Sequence, residues 1–203
     1  MPAVVTGKPV SVGGSLGREE ATGLGCALAA REAAKTLGIP LEGARVAVQG
    51  FGNVGSVAAL TLHRMGAVLV AASDSRGGVY NPQGLDPEAL VRHKRATGTV
   101  ADFPQGNRVA GEEVLELPCD ILVPAALEGQ LRRENAPRVK AKLVIEGANG
   151  PTTPEADDLL QGPGRGGGAR HRGERGWGDC VLLRVGAGPA GVLLDRRRGP
   201  AAA

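Results

Sequence analysis

The chain has 203 residues, with 24 Lys and Arg against 21 Asp and Glu, three Cys, 33 Gly and 2% aromatic side chains. That length suits one ordinary domain. No run approaches the roughly 20 apolar residues of a membrane helix, and Met1-Pro2-Ala3 opens neither a basic n-region nor an apolar h-region, so a soluble, cytoplasmic protein with no membrane partner is expected. The odd, widely spaced Cys26, Cys119 and Cys180 give no disulfide framework, and His63, His93 and His171 share no metal-ligand spacing.

Charge and glycine divide the chain near Gly162. From there to Ala203 the sequence holds eight Arg, three acids and 12 of the 33 Gly, a net +5, while the first 161 residues carry a net −2. The basic balance therefore belongs to the last segment, and nothing in the body argues for nucleic acid. We expect a folded domain over 1–161 and a disordered Gly/Arg-rich tail over 162–203.

Along the body, helix-like and strand-like segments alternate. Glu19 to Leu37 reads as an Ala- and Leu-rich helix that ends at Gly38, with Pro40 beyond. Arg45 to Gln49 is a short β run, and Val54 to Met65 returns to helical spacing. Ala67 to Ala72 is a continuous apolar strand, as in sheets covered on both faces. Asp86-Pro87-Glu88 caps a helix running from Leu85 to Ala96, within which Arg92 to Arg95 reads as a solvated face. Ile121 to Val123 and Leu143 to Glu146 are further strands, and Pro154 to Leu160 is a short helix. This alternation predicts an α/β, Rossmann-like, doubly wound and mostly parallel sheet with helices on both faces.

The sharpest chemical signal is Gly50-Phe51-Gly52-Asn53-Val54-Gly55 at a predicted strand-to-helix junction. In a G-x-G-x-x-G turn the first glycine permits the tight bend, the second lets a pyrophosphate approach the backbone, and the third lets the helix pack on the strand. The following helix aims free N–H groups at the phosphates. Asp74, at the end of the next strand, has the spacing of an acid that meets the adenosine ribose, which favours NAD; Arg76, two residues on, suits the extra phosphate of NADP instead. Two more glycine-rich stretches, Gly13 to Gly23 and Gly147 to Pro154, adjoin predicted elements where ligands gather in such sheets.

Together these stretches resemble the glutamate, leucine, phenylalanine and valine dehydrogenase family, and in particular its glutamate enzymes. The likeness runs from about Val4 to Leu160, through Thr6-Gly7-Lys8-Pro9, Gly13-Gly14-Ser15, Ala21-Thr22-Gly23, the Gly50 to Gly55 turn, Ser73-Asp74-Ser75, Cys119 to Ala126 and Glu146 to Ala156. The resemblance implies reversible oxidative deamination of L-glutamate to 2-oxoglutarate and ammonia, with NAD or NADP as hydride carrier. It implies that Thr22 and Asn149 hold the nicotinamide end, Asn53 and Val54 meet the pyrophosphate, Asp74 meets the ribose, Ala125 and Ala126 line the cleft, and Arg18 lies near the substrate side. It also implies a homo-hexamer for the intact family.

Two departures qualify that picture. The likeness begins at the cofactor domain, so no residue here matches the family's catalytic lysine, catalytic aspartate or glutamate-binding lysines, and this chain alone is expected to be inactive. A non-catalytic nucleotide sensor and a branched-chain amino acid dehydrogenase fragment are the competing readings. After Leu160 the family would continue through a Pro-Asp-Ile strand and an Asn-Ala-Gly-Gly-Val turn. Codons chosen for Ala169 to Pro189 and read one nucleotide later spell Pro-Asp-Ile-Ala-Ala-Asn-Ala-Gly-Gly-Val-Thr-Val-Ser-Tyr-Phe-Glu-Trp, the middle base of each shifted codon falling on a wobble position. A frameshifted tail is therefore expected, together with loss of the closing strand and an unpaired sheet edge.

Overall fold

The computed structural model describes residues 10–14, 16–160 and 181–184. Seven strands form one sheet in the order β4-β3-β2-β1-β5-β6-β7. The strands are β1 (Arg45–Gln49), β2 (Val68–Asp74), β3 (Gly77–Tyr80), β4 (Asn107–Val109), β5 (Ile121–Pro124), β6 (Leu143–Glu146) and β7 (Val181–Arg184). β1 pairs in parallel with β2 and β5, and β6 pairs in parallel with β5 and β7. β3 and β4 run antiparallel, as a meander added beside β2. Chain order reverses direction at β1, which opens a crevice beyond the carboxyl ends of β1 and β5.

The doubly wound expectation holds, and the predicted helices fall within two residues of α1 (Arg18–Thr36), α2 (Asn53–Arg64), α3 (Pro87–Thr97) and α4 (Pro154–Leu160). Asp86 caps α3 as expected, its Oδ1 accepting from the N–H groups of Glu88 and Ala89 at 2.9 and 3.1 Å. One face of the sheet buries Ala27, Ala30, Ala58, Leu62 and Leu90 of α1 to α3 against Val46, Val48, Leu69 and Ile145. The other buries Leu115, Leu131, Ala136 and Leu160, carried by 3₁₀ turns, a loop and α4, against Ala47, Val70, Leu122 and Val144. Small residues let α1 and α2 close up: a Cβ on Gly23 would lie 2.6 Å from both Val54 O and Val57 Cβ.

Three strands differ from the sequence reading. β3 and β4 carry no strong apolar signal, since Gly77-Gly78 opens one and the other has three residues, and both are held by pairing onto β2. The expected unpaired edge beside β6 is occupied, because Val181–Arg184 pairs with Leu143–Glu146 as β7. The unstructured tail is thereby corrected at these four residues: Leu182 and Leu183 are buried, and a Val-Leu-Leu run meets the backbone requirement of a parallel edge whatever its neighbours in sequence. The remainder of 161–203 lies outside the described residues.

Candidate functional site

Three loops converge at the carboxyl edge. Gly50, at the exit of β1, has φ +91°, and a Cβ there would lie 2.6 Å from Ala126 N, so only glycine suits both the turn and the neighbouring loop. The N–H groups of Gly50 and Phe51 both donate to Ser73 O, at 3.0 and 2.7 Å, binding the turn to the end of β2. A Cβ on Gly55 would collide with Gly50 O and lie 2.9 Å from Val48 Cγ1, which is the close helix-to-strand packing expected of the third glycine. Space within 4 Å of the Gly52 Cβ position is open. Gly52 precedes α2 without a side-chain cap, so the first N–H groups of that helix remain available at the crevice.

The other two loops are drawn in by backbone bonds. Ala125 N donates to Gln49 O at 2.7 Å, and Gly147 N and Ala148 N both donate to Pro124 O at 2.9 and 3.1 Å. A Cβ on Gly147 would lie 3.1 Å from Ala125 Cβ, 3.1 Å from Val54 Cγ1 and 3.4 Å from Cys26 Sγ, so α1, α2 and the loops after β5 and β6 meet there. Gly129 N donates to Gly150 O at 2.9 Å, and Gln49 Nε2 to Gln130 Oε1 at 2.7 Å, which further ties the loops together. Burial pushes the Cys26 thiol up to about 11, a shift its backbone hydrogen bond only partly opposes, so it sits under the site as a neutral packing group.

The predicted residues fall around this edge. Gly50, Gly52, Asn53, Val54 and Gly55 form the turn and first turn of α2, with Asn53 exposed and Val54 half-buried. Ala125 and Ala126 follow β5, Asn149 is exposed in the loop after β6, and Thr22 is half-buried in α1 beside Gly23. Arg18 is exposed at the start of α1, whose second turn reaches the first turns of α2, a Cβ on Gly23 lying 2.6 Å from Val54 O. Asp74 ends β2, and beyond it an open hollow of about 630 Å³ is bordered by Ser75, Arg76, Arg108 and Gly111.

Sequence reasoning missed Lys94. Rather than facing solvent with its neighbours in Arg92 to Arg95, its ammonium donates to Phe51 O at 2.7 Å and lies 3.6 Å from Asp74 Oδ2. Half-buried within a run of charged residues, it has no sequence signature that would single it out. Asp74 is also more enclosed than a strand-end residue suggests, with 7% of its side chain exposed.

Residues 13–165 match the family model described as Glutamate/Leucine/Phenylalanine/Valine dehydrogenase. Among curated proteins, the chain is 60% identical over 158 residues to a glutamate dehydrogenase of Thermotoga maritima, covering 77% of this chain and 38% of the relative. It is 50% identical over 159 residues to a cryptic catabolic NAD-specific glutamate dehydrogenase of Bacillus subtilis, covering 78% and 37%. Among solved structures, a hetero-hexameric glutamate dehydrogenase of Thermus thermophilus in its Leu-bound form superposes with a TM-score of 0.70 at 45% identity, over 77% of this chain and 37% of that one. A Plasmodium falciparum glutamate dehydrogenase does so at 0.67 and 32%, over 75% and 35%. The chain thus spans less than two fifths of the length of these relatives. A matched stretch of this extent, folded around the glycine turn described above, makes the chain a member of the glutamate, leucine, phenylalanine and valine dehydrogenase family.

Proposed function

We propose that these residues are the cofactor-binding portion of a glutamate dehydrogenase, which interconverts L-glutamate with 2-oxoglutarate and ammonia. The observation that carries this reading is the meeting of the Gly50 turn, Ala125 and Gly147 at one carboxyl edge, with open space at Gly52 and uncapped N–H groups behind it. That cradle fits a pyrophosphate, since backbone donors at a helix N-terminus recognise it without a side chain. Bound there, a nicotinamide dinucleotide supplies the hydride acceptor, and the protein supplies binding and orientation.

In this reading the N–H groups at Asn53 and Val54 meet the pyrophosphate, while Ala125 and Ala126 bound the cleft. Thr22 and Asn149 flank the nicotinamide end, and Arg18 lies toward the substrate. The adenosine end falls at Asp74 and the hollow beside Arg76 and Arg108. NAD or NADP is the expected carrier. The substrate-binding groups and the proton-transferring lysine and aspartate lie outside these residues, so this stretch holds cofactor without turning over by itself; a missing general acid/base alone removes a factor of about 10²–10⁴. The complete protein would work in the cytoplasm as a homo-hexamer.

We also infer that the segment after about residue 161 is out-of-frame translation, on the strength of the Pro-Asp-Ile to Trp reading in the shifted frame. Sequencing the gene across that point and finding a single intact frame, with no such alternative, would end this inference. The functional reading is tested by titrating NAD into the chain by calorimetry and then adding a separately made substrate domain. We expect saturable binding first and glutamate-dependent NADH formation only after the addition. Absence of binding to both NAD and NADP would remove the reading.

A further inference from the structure

We infer that Asp74 is a positioning residue of the adenosine end and not a ligand of the ribose, so that this chain accepts the 2′-phosphorylated dinucleotide about as well as the plain one. The inference rests on the cofactor reading above. An ionised carboxylate has roughly four lone-pair sites. At Asp74 three of them are taken by hydrogen bonds inside the protein, Oδ1 accepting from the Arg76 N–H at 2.9 Å and the Thr99 hydroxyl at 3.1 Å and Oδ2 from the Val100 N–H at 2.8 Å, while the Lys94 ammonium faces Oδ2 as an ion pair at 3.6 Å and 7% of the side chain is exposed.

Turning toward a ribose would strip these donors of their acceptor. Thr99 is 6% exposed and Val100 fully buried, so they would find no water in exchange, and a donor left unpaired in the interior costs more than one ribose hydroxyl returns. The carboxylate therefore stays where it is. Its work is mechanical: it clamps the β2–β3 turn at Arg76 to the loop after α3, and through Lys94, which also holds Phe51 O, it fixes the glycine turn.

The electrostatic consequence follows from the same contacts. The usual acid at this position rejects a 2′-phosphate because it is a free anion at hydrogen-bond range. Here the anion is enclosed and faced by a lysine, and the charged groups bordering the hollow beside it are Arg76 and Arg108 with Glu113. An incoming phosphate meets a compensated pair rather than a bare negative charge.

The test is calorimetric titration of the full chain with NAD and with NADP, for the wild type and for Asp74→Asn, at a temperature where both are folded. We expect wild-type dissociation constants within about tenfold of each other, and in Asp74→Asn a similar loss of both, about tenfold, with their ratio unchanged. A wild type that prefers NAD by more than that factor overturns the proposal, and this comparison decides even where the variant fails to fold. So does an Asp74→Asn chain that loses NAD selectively, or one that binds both as the wild type does. Failure of the wild type to bind either dinucleotide removes the cofactor reading itself, which distinguishes that outcome from NAD-only binding.

Discussion

The two ends of the parallel strands are built from different chemistry. At the carboxyl end the connections are made by the main chain: Gly50 and Phe51 to Ser73, Ala125 to Gln49, and Gly147 and Ala148 to Pro124. At the amino end main-chain bonds such as Asp120 N to Arg45 O and Val68 N to Ala44 O, both 2.8 Å, are joined by charged side chains: the Asp120 carboxylate accepts from Arg45 N at 3.0 Å and Lys142 Nζ at 2.9 Å, while Glu116 takes Arg138 in a two-pronged pair at 2.6 and 2.7 Å. The amino end adds charged side chains to its main-chain framework. The other leaves space and N–H groups for something to bind, and relies on close backbone packing for its shape.

That contrast can be broken most severely at Gly55. A valine there has no room against Gly50 O or Val48 Cγ1, and we expect a loss of about 3 kcal/mol or more in urea denaturation together with loss of calorimetric NAD binding. Retained binding at near wild-type stability would mean that the turn is not as closely built as it looks. Between the two ends, Leu122 is fully buried in β5, and its replacement by alanine should cost about 3 kcal/mol by the same denaturation measurement. Its effect on NAD affinity should be slight, because it reaches neither end.

At the amino end, Asp120→Asn keeps the shape but removes the charge, and a loss of about 1 kcal/mol near neutral pH is expected. Burial disfavours the Asp120 carboxylate, but the hydrogen bonds from Arg45 and Lys142 and the charges behind them outweigh it and hold its pKa below the usual value. The folded value is depressed, so its stabilisation is present above the unfolded value of about 3.9 and fades as pH falls through the folded one. Denaturation midpoints of wild type and Asp120→Asn should converge toward acid, and a gap that widens there would reverse the assignment. The smallest effect is chemical rather than energetic: with its thiol pushed up to about 11 by burial, Cys26 should resist alkylation at pH 8 in the folded chain and react after denaturation, as peptide mapping by mass spectrometry would record.

Much of the fold was legible because its signals are local. The apolar run from Ala67 to Ala72, the Asp86-Pro87 cap and the glycine turn each express a rule that acts within a few residues, and β6 and α4 fall where the pattern placed them. β3, β4 and β7 were not legible, because a Gly-Gly pair, three residues and an isolated Val-Leu-Leu become strands only when a neighbouring edge offers its hydrogen bonds.

The site divides in the same way. Sequence alone determined where a dinucleotide turn can form, since the freedom of Gly50 and the bareness of Gly52 and Gly55 are properties of the residues themselves. Only the tertiary structure decided what surrounds it. The sequence separation between Lys94 and Phe51, or between Asp74 and Val100, carries no record of their contact. Whether a carboxylate faces a ligand or is consumed inside the protein depends on which donors the packing of distant segments brings to it.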